Sequence, residues 1–330
     1  MSKLRLSLAC WDYDRTRALA DGSVPVDGID LVYQSLPVEE TFFRMARHRE
    51  FDVAEMSLSS YLVSKFLPDD PFIAIPVFPS RAFRHSNVYV NERSGIREPK
   101  DLIGKRFGTP EYQLTANVWI RGMLSDEYGV GYDSVTYVTG GEEEPGRLEK
   151  LKLDLPDSIR IEAIGPGQTL SAMLASGEID AFHGPRMPSV YANRAPGVLR
   201  LFEDYVPVER AYFQKTGIFP IMHTVVIRRE IYERDRWVAM ALAKAFARAQ
   251  RVAYEDLLQT AALKTMLPWS FADAEATRAL MGNDFWPYGF APNEKTLDLF
   301  TRYSFDQGLS KRKLDPRDLF ARETLEAFKI

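Results

Sequence analysis

Leucines alternate with other residues at Leu4, Leu6 and Leu8, and the pattern turns polar from Trp11 to Arg15. Period-two alternation predicts a strand. Asp12 or Asp14 then offers a side-chain oxygen to cap a helix running through Leu19. Strand-to-helix turns are where α/β folds place ligand contacts, which makes Trp11, Asp12 and Arg15 candidates. Residues 28–37 predict a second strand. Glu39–Arg49 has helical spacing, with Phe42, Phe43, Met45 and Ala46 as its apolar stripe. Residues 51–63 read as strand, turn and helix, with Glu55 at the strand's carboxyl end and Ser57 as an N-cap. Residues 72–78 form a further β-type run.

The stretch PVFPSRAFRHSNVYVNE, residues 76–92, follows directly. It sets Arg81, Arg84 and His85 in a turn-rich segment between apolar runs. A cationic, His-bearing loop beside strands suits a small anion; a solvated basic loop is the bland alternative. Residues 86–92 alternate again. Residues 95–124 predict a short helix, a strand ending at Thr109–Pro110 and a helix beginning near Gln113. Free N–H groups at such a start favour anions, so Gln113 and Thr115 are either ligand contacts or caps.

Residues 134–141 predict another strand. The charged segment 142–158 is expected to be an exposed excursion. Residues 159–167 read as a strand, and 168–188 as a helix stopped at Gly177, then a short buried strand delivering His183 and Arg186. Residues 189–216 look loop-rich. Strand character returns at 217–230, where His223 precedes a Val-Val-Ile run and reads as a weaker site candidate or a core histidine. Residues 236–258 form a long amphipathic helix without Gly or Pro. Residues 283–309 are an aromatic loop followed by a helix. Nothing repeats at a fixed period.

Composition narrows the classes. At 330 residues the length suits about two domains. The net charge of −4 argues against a nucleic-acid surface. Cys10 is the only cysteine, so no internal disulfide forms and no thiolate zinc site is available. No window reaches a membrane span of about 18 apolar residues. The apolar run Leu4–Cys10 is broken by Arg5 and is too short for a signal core, so a cytoplasmic chain is expected. No GxGxxG follows the first strand and no Walker sequence is present, so no cofactor is expected.

Strand–helix units, a change of block near residue 90 and a return near 187 describe two lobes joined by two crossing segments. This arrangement, with the phrases GIREPKDLIGKRFGTPEYQLTANVWIRGML and LSAMLASGEIDAFHGPRMP, resembles the type II periplasmic-binding-protein-like fold. The resemblance implies an α/β protein with a mixed sheet in each lobe and a ligand cleft between them. Residues 1–90 with 187–330 form one lobe, and 91–186 the other. Within that fold, ACWDYDRTRAL, FDVAEMSLSSYL, FPSRAFRHSNVYVN, GTPEYQLTANVWIRG and FAPNEKTLDLFTRYSFDQGL together resemble the 4,5-dihydroxyphthalate decarboxylase family.

That resemblance implies an aromatic carboxylate as substrate and a cofactor-independent carboxy-lyase. Arg81, Arg84 and Arg186 then become partners for two carboxylates, since the guanidinium fork matches a carboxylate. His85 and His183 become proton donor and acceptor, with Glu55 orienting or assisting. Trp11, Asp12, Gln113, Thr115 and His223 complete the expected substrate contacts. A divalent metal on His85, His183 and Glu55 is a weaker alternative, because no paired-His helical spacing supports it. Two other readings stay open: a solute-binding protein for a small organic anion, and a different enzyme of this scaffold. Nothing in the sequence marks an interface, so a homo-oligomer stays open too.

Overall fold

Two sheets organise the chain, and most of their strands are the apolar runs described above. The computed structural model describes residues 3–326. In chain order the elements are β1 (Leu4–Cys10), α1 (Asp14–Ala20), β2 (Ile29–Ser35), α2 (Val38–His48), β3 (Val53–Ser57), α3 (Leu58–Ser64), β4 (Phe72–Ile75), β5 (Val88–Asn91), β6 (Arg106–Thr109) and α4 (Thr115–Tyr128). There follow β7 (Thr136–Thr139), β8 (Arg160–Ala163), α5 (Leu170–Ser176), β9 (Ala181–His183), α6 (Ser189–Ala192), β10 (Val198–Arg200) and α7 (Tyr205–Thr216). The last are β11 (His223–Arg228), α8 (Arg229–Arg234), α9 (Trp237–Leu257), α10 (Ser270–Met281) and α11 (Glu294–Asp306).

The first sheet has the order β2-β1-β3-β11-β4. β1 runs parallel to β2, from Leu4 opposite Ile29 to Cys10 opposite Ser35, and parallel to β3, with Ala9 opposite Ala54. β11 is antiparallel to β3, with Val225 opposite Glu55 and His223 opposite Ser57. Alternate residues share a face. Leu6, Leu8, Val53, Val225 and Ile227 therefore form one apolar face, packed with Ala18 and Leu19 of α1 and Val238, Leu242 and Phe246 of α9. Each such side chain contributes about 1.5–3 kcal/mol when fully buried. Ser57 caps α3 as its sequence position predicts, its Oγ accepting from Ser60 N–H at 3.4 Å.

The second sheet has the order β10-β5-β9-β6-β7-β8. β6 is parallel to β7 and β9, while β5 is antiparallel to β9 and β10. Gly177 ends α5 at φ 82°, a left-handed conformation that favours glycine. Gly122 in α4 serves close approach instead, since a Cβ there would lie 2.3 Å from the Tyr303 ring.

The chain divides into two compact units. One holds the residues up to Arg81, Ile221–Asp298 and the chain from Leu314; the other holds Ala82–Pro220 and Leu299–Lys313. The sequence had suggested 1–90 with 187–330 against 91–186. The difference has identifiable causes. β10 pairs with β5, from Val198 opposite Asn91 to Arg200 opposite Tyr89, which ties 198–200 to the second sheet. Trp119 of α4 packs against Phe300 and Tyr303, with ring centroids 5.1 and 5.6 Å away, which brings 299–313 with it. Residues 189–216 are also not a plain loop, because α6, β10 and α7 lie within them.

Segment 142–158 is exposed over most of its length, Glu143 and Glu144 included, but it is anchored at particular points. Glu142 and Lys150 are buried. Lys150 Nζ and Arg147 Nη2 lie 2.5 and 2.7 Å from Glu111 Oε1, itself buried beside α4.

Candidate active site

Register alone brings two candidates together. Glu55 and His223 lie on facing antiparallel strands, one pair of positions apart on the same face. Such diagonal neighbours are within reach of long side chains. His223 Nδ1 lies 2.6 Å from Glu55 Oε1. An ionised carboxylate only accepts, so Nδ1 carries the proton and the other ring nitrogen is left for a further partner. The imidazole is partly exposed, with 16% of its side-chain surface accessible, and Phe42 of α2 meets its ring edge-on at 4.7 Å.

Glu55 is fully buried at the carboxyl end of β3. Every donor around it comes from β1, the turn that follows it, or β11. Trp11 N–H donates to Oε2 at 3.0 Å and the Cys10 thiol approaches the same oxygen at 3.5 Å. The Tyr13 hydroxyl donates to Oε1 at 2.7 Å and lies 3.5 Å from His223 Nδ1. Burial alone would raise the Glu55 pKa. The His223 charge, its hydrogen bond, and those from Trp11 and Tyr13 outweigh burial and hold the carboxyl below its ordinary value. Burial and the negative Glu55 drive the Tyr13 hydroxyl and the Cys10 thiol upward, so both stay protonated.

Trp11 thus contributes its backbone N–H, while the residue as a whole is 41% exposed. Asp12 is exposed and pairs loosely with Arg17 at 3.5 Å. Arg15 is held more firmly. Its guanidinium lies 4.1 Å from the Tyr13 ring centroid and 4.4 Å from that of Trp286, and its Nε donates to Pro79 O at 2.5 Å. Nη1 pairs with Asp14 at 2.9 Å.

The segment 76–92 does not act as one loop. Arg81 belongs to the first unit and is 5% exposed. Its Nη2 donates to Pro287 O at 2.8 Å and to Asn293 Oδ1, so its fork holds the 287–293 turn rather than standing ready for a carboxylate. Burial lowers its pKa to about 9.

Arg84 and His85 belong to the second unit. Arg84 Nη1 donates to Pro185 O at 3.1 Å, and burial lowers its pKa to about 10. His85 is buried against the Phe202 and Tyr212 rings, at 5.3 and 5.4 Å. Its Nδ1 lies 3.9 Å from Glu209 of α7, too far for a hydrogen bond. Desolvation lowers His85 to about 4 and raises Glu209 to about 7.

His183 is fully buried, 4.2 Å from the Phe107 ring centroid, and burial followed by the Arg121 charge keeps it neutral. Arg186 is exposed. Gln113 and Thr115 are buried at the start of α4. The carboxylate that meets that start is the chain's own Glu149, which accepts from Tyr112 N–H and from Gln113 Nε2 at 2.8 Å.

The sequence reading missed three of these residues. Tyr13 lies in ACWDYDRTRAL between the candidates Asp12 and Arg15, where an aromatic hydroxyl carries no periodic signal of its own. Glu209 lies in the loop-rich stretch 189–216 and Glu149 in the charged stretch 142–158. Among the described residues, no three His, Cys, Asp or Glu side chains are grouped so as to hold a metal ion. Among them, too, no helix is long and apolar enough to cross a membrane.

No family model matches the chain. It is 47% identical over 330 residues to the 4,5-dihydroxyphthalate decarboxylase of Comamonas testosteroni, covering 100% of both chains. It is 50% identical over 204 residues to the enzyme of the same name from Pseudomonas putida, covering 62% of this chain and 79% of that relative. Among solved structures, the periplasmic aliphatic sulphonate binding protein of Escherichia coli matches with a TM-score of 0.53 at 14% identity, over 98% of this chain and 99% of that one. A Candida albicans protein with the generic periplasmic binding protein fold matches with a TM-score of 0.50 at 11% identity, over 96% of this chain and 93% of its own. The fold is periplasmic-binding-protein-like, an α/β architecture with two mixed sheets.

Proposed function

The chain belongs to the 4,5-dihydroxyphthalate decarboxylase family, and on that premise we propose that it removes one carboxylate of 4,5-dihydroxyphthalate as CO2 and leaves 3,4-dihydroxybenzoate, in aromatic catabolism in the cytoplasm. The observation that carries the chemistry is the Glu55–His223 pair, a buried carboxylate behind a partly exposed imidazole. This moves the proton-transfer role from His85 and His183, the sequence's candidates, to His223.

Decarboxylation of an aryl acid consumes one proton and must avoid a naked ring anion. The hydroxyl para to the leaving carboxylate offers the route. As its O–H bond gives up a proton to solvent water, electron density moves through the ring, and the carbon bearing the carboxylate takes a proton. The C–CO2 bond then breaks, its electron pair restores aromaticity, the ring oxygen regains a proton from water, and the donor is reprotonated from solvent, which accounts for the one proton consumed. The His223 imidazolium is the donor to the ring carbon. The negative Glu55 beside Nδ1 stabilises that charged imidazole and fixes its orientation. General acid catalysis of this kind contributes about 10²–10⁴-fold.

The substrate also carries two carboxylates. Arg15 supplies a cation beside Tyr13, its guanidinium packed against the Tyr13 and Trp286 rings with Nε on Pro79 O and Nη1 on Asp14, which leaves Nη2 to meet a carboxylate. Nothing in this scheme calls on a cofactor.

Incubation with 4,5-dihydroxyphthalate, with CO2 and 3,4-dihydroxybenzoate followed together, tests the reading. Equimolar appearance of both is expected. Tight binding of the acid with neither product would leave a solute-binding protein and overturn the enzyme.

A further inference from the structure

We infer that Tyr13 is a positioning residue for this decarboxylation: its hydroxyl sets how much of the Glu55 charge His223 receives. The inference rests on the proposed role of His223 as proton donor. Both the Tyr13 hydroxyl and His223 Nδ1 converge on one oxygen, Glu55 Oε1, at 2.7 and 2.6 Å. The second oxygen is taken by Trp11 N–H and the Cys10 thiol. A carboxylate oxygen shared between two donors gives each less charge than it would give one alone. Tyr13 therefore tempers the hold of Glu55 on the imidazolium and leaves His223 a readier acid.

The position of Tyr13 is itself built. It is the residue before α1, and its N–H donates to Thr16 Oγ1 at 3.2 Å. Tyr33 of β2 braces the same turn, its hydroxyl donating to Trp11 O at 2.9 Å and to Thr16 Oγ1 at 3.1 Å. The Arg15 guanidinium covers a face of the Tyr13 ring. The hydroxyl is thus aimed by the ring's packing, and removing the oxygen leaves that packing in place. The other titratable or charged groups facing this network are Cys10 of β1, Tyr33 of β2, Arg15 of α1 and Tyr288 after α10. The thiol and the three tyrosine hydroxyls all have raised pKa values, so none of them changes charge in the neutral range.

The test uses Tyr13→Phe and Glu55→Gln in the full chain. In Tyr13→Phe, Glu55 has one donor fewer and holds the imidazolium harder. The alkaline limb of kcat is expected to move to higher pH by about half a unit, with kcat below that limb about 2–3-fold lower, as a Brønsted dependence on the donor allows, and KM within twofold. In Glu55→Gln the same limb moves to lower pH. A residue that merely packed would lower activity without moving the limb, so an unshifted limb in Tyr13→Phe overturns the inference.

The failure of the decarboxylase reading is separable. If the wild type releases no CO2, that reading falls, and the His223 ring-nitrogen NMR titration, assigned by its loss in His223→Gln, still decides the role of Tyr13. An upward shift in Tyr13→Phe supports it, and an unchanged titration overturns it.

Discussion

His223 Nδ1 lies 2.6 Å from Glu55 Oε1, joining a partly exposed imidazole on β11 to a buried carboxylate on β3. The contact needs no loop to form it. It follows from an antiparallel register in which His223 faces Ser57 and Val225 faces Glu55. A proton-transfer pair on two core strands is held with less freedom than one on loops.

His223→Gln is expected to lower kcat by about 10²–10³-fold, since it removes the proton donor. Circular dichroism should stay that of the wild type. Glu55→Gln should cost about 10-fold or more. Stopped assays for 3,4-dihydroxybenzoate measure both. Full activity in His223→Gln would remove the imidazole from the mechanism.

Arg15→Gln separates binding from chemistry. The ring stack and the bond to Pro79 place the guanidinium, whose link to the proton path is indirect, through the face of the Tyr13 ring that it covers. KM should rise about 10-fold or more, matching loss of a charge-assisted hydrogen bond of about 1.5–3 kcal/mol. The kcat should change much less. A drop in kcat at constant KM would assign Arg15 another task.

Arg81→Met should act on stability. The buried guanidinium bonds Pro287 O and Asn293 Oδ1 from within one unit, and its loss leaves both acceptors short of a donor. A loss of about 2–3 kcal/mol in urea unfolding is expected.

His85 and Glu209 make opposite contributions to pH-dependent stability. The His85 pKa, lowered to about 4 by burial, lies below its ordinary 6.5. Between those values the unfolded chain binds the extra proton, so stability falls as pH falls. The Glu209 pKa, raised to about 7, lies above its ordinary 4.5. Between those values the folded chain holds the extra proton, so stability falls as pH rises. The two slopes, each about 1.4 kcal/mol per pH unit, oppose each other in the window they share. Glu209→Gln should therefore expose acid lability below pH about 6.5, and His85→Phe should expose the reverse. Urea midpoints across that range measure both. Parallel profiles in the two variants would refute the opposition.

Lys150→Met should cost on the order of 3 kcal/mol, because Glu111 keeps Arg147 but loses its buried ammonium partner. Adding Glu111→Gln should restore part of that loss. Additive effects would show that the pair is not coupled.

The sequence by itself determined the strands, many of the helices and the family. Alternation marked β1, the Val-Val-Ile run marked β11, and Glu55 stood out at a strand end because polar residues there break an apolar run. These signals are local, set by side-chain period and by capping.

Which histidine serves Glu55 was not local. His85 and His183 looked stronger in sequence, beside arginines and turns, yet burial makes each a neutral imidazole among aromatic rings. His223 reads in sequence as a weaker site candidate or a core histidine, and the pairing of β11 with β3 is what sets it beside Glu55. Likewise Arg81 read as an open cation until the 287–293 turn closed on it. Glu149, in a segment that is mostly exposed, turns inward to meet the start of α4. In each case a charged or polar group found its partner dozens to hundreds of residues away. Only the tertiary structure pairs such groups, because burial and register, not sequence neighbours, decide which charge a side chain meets.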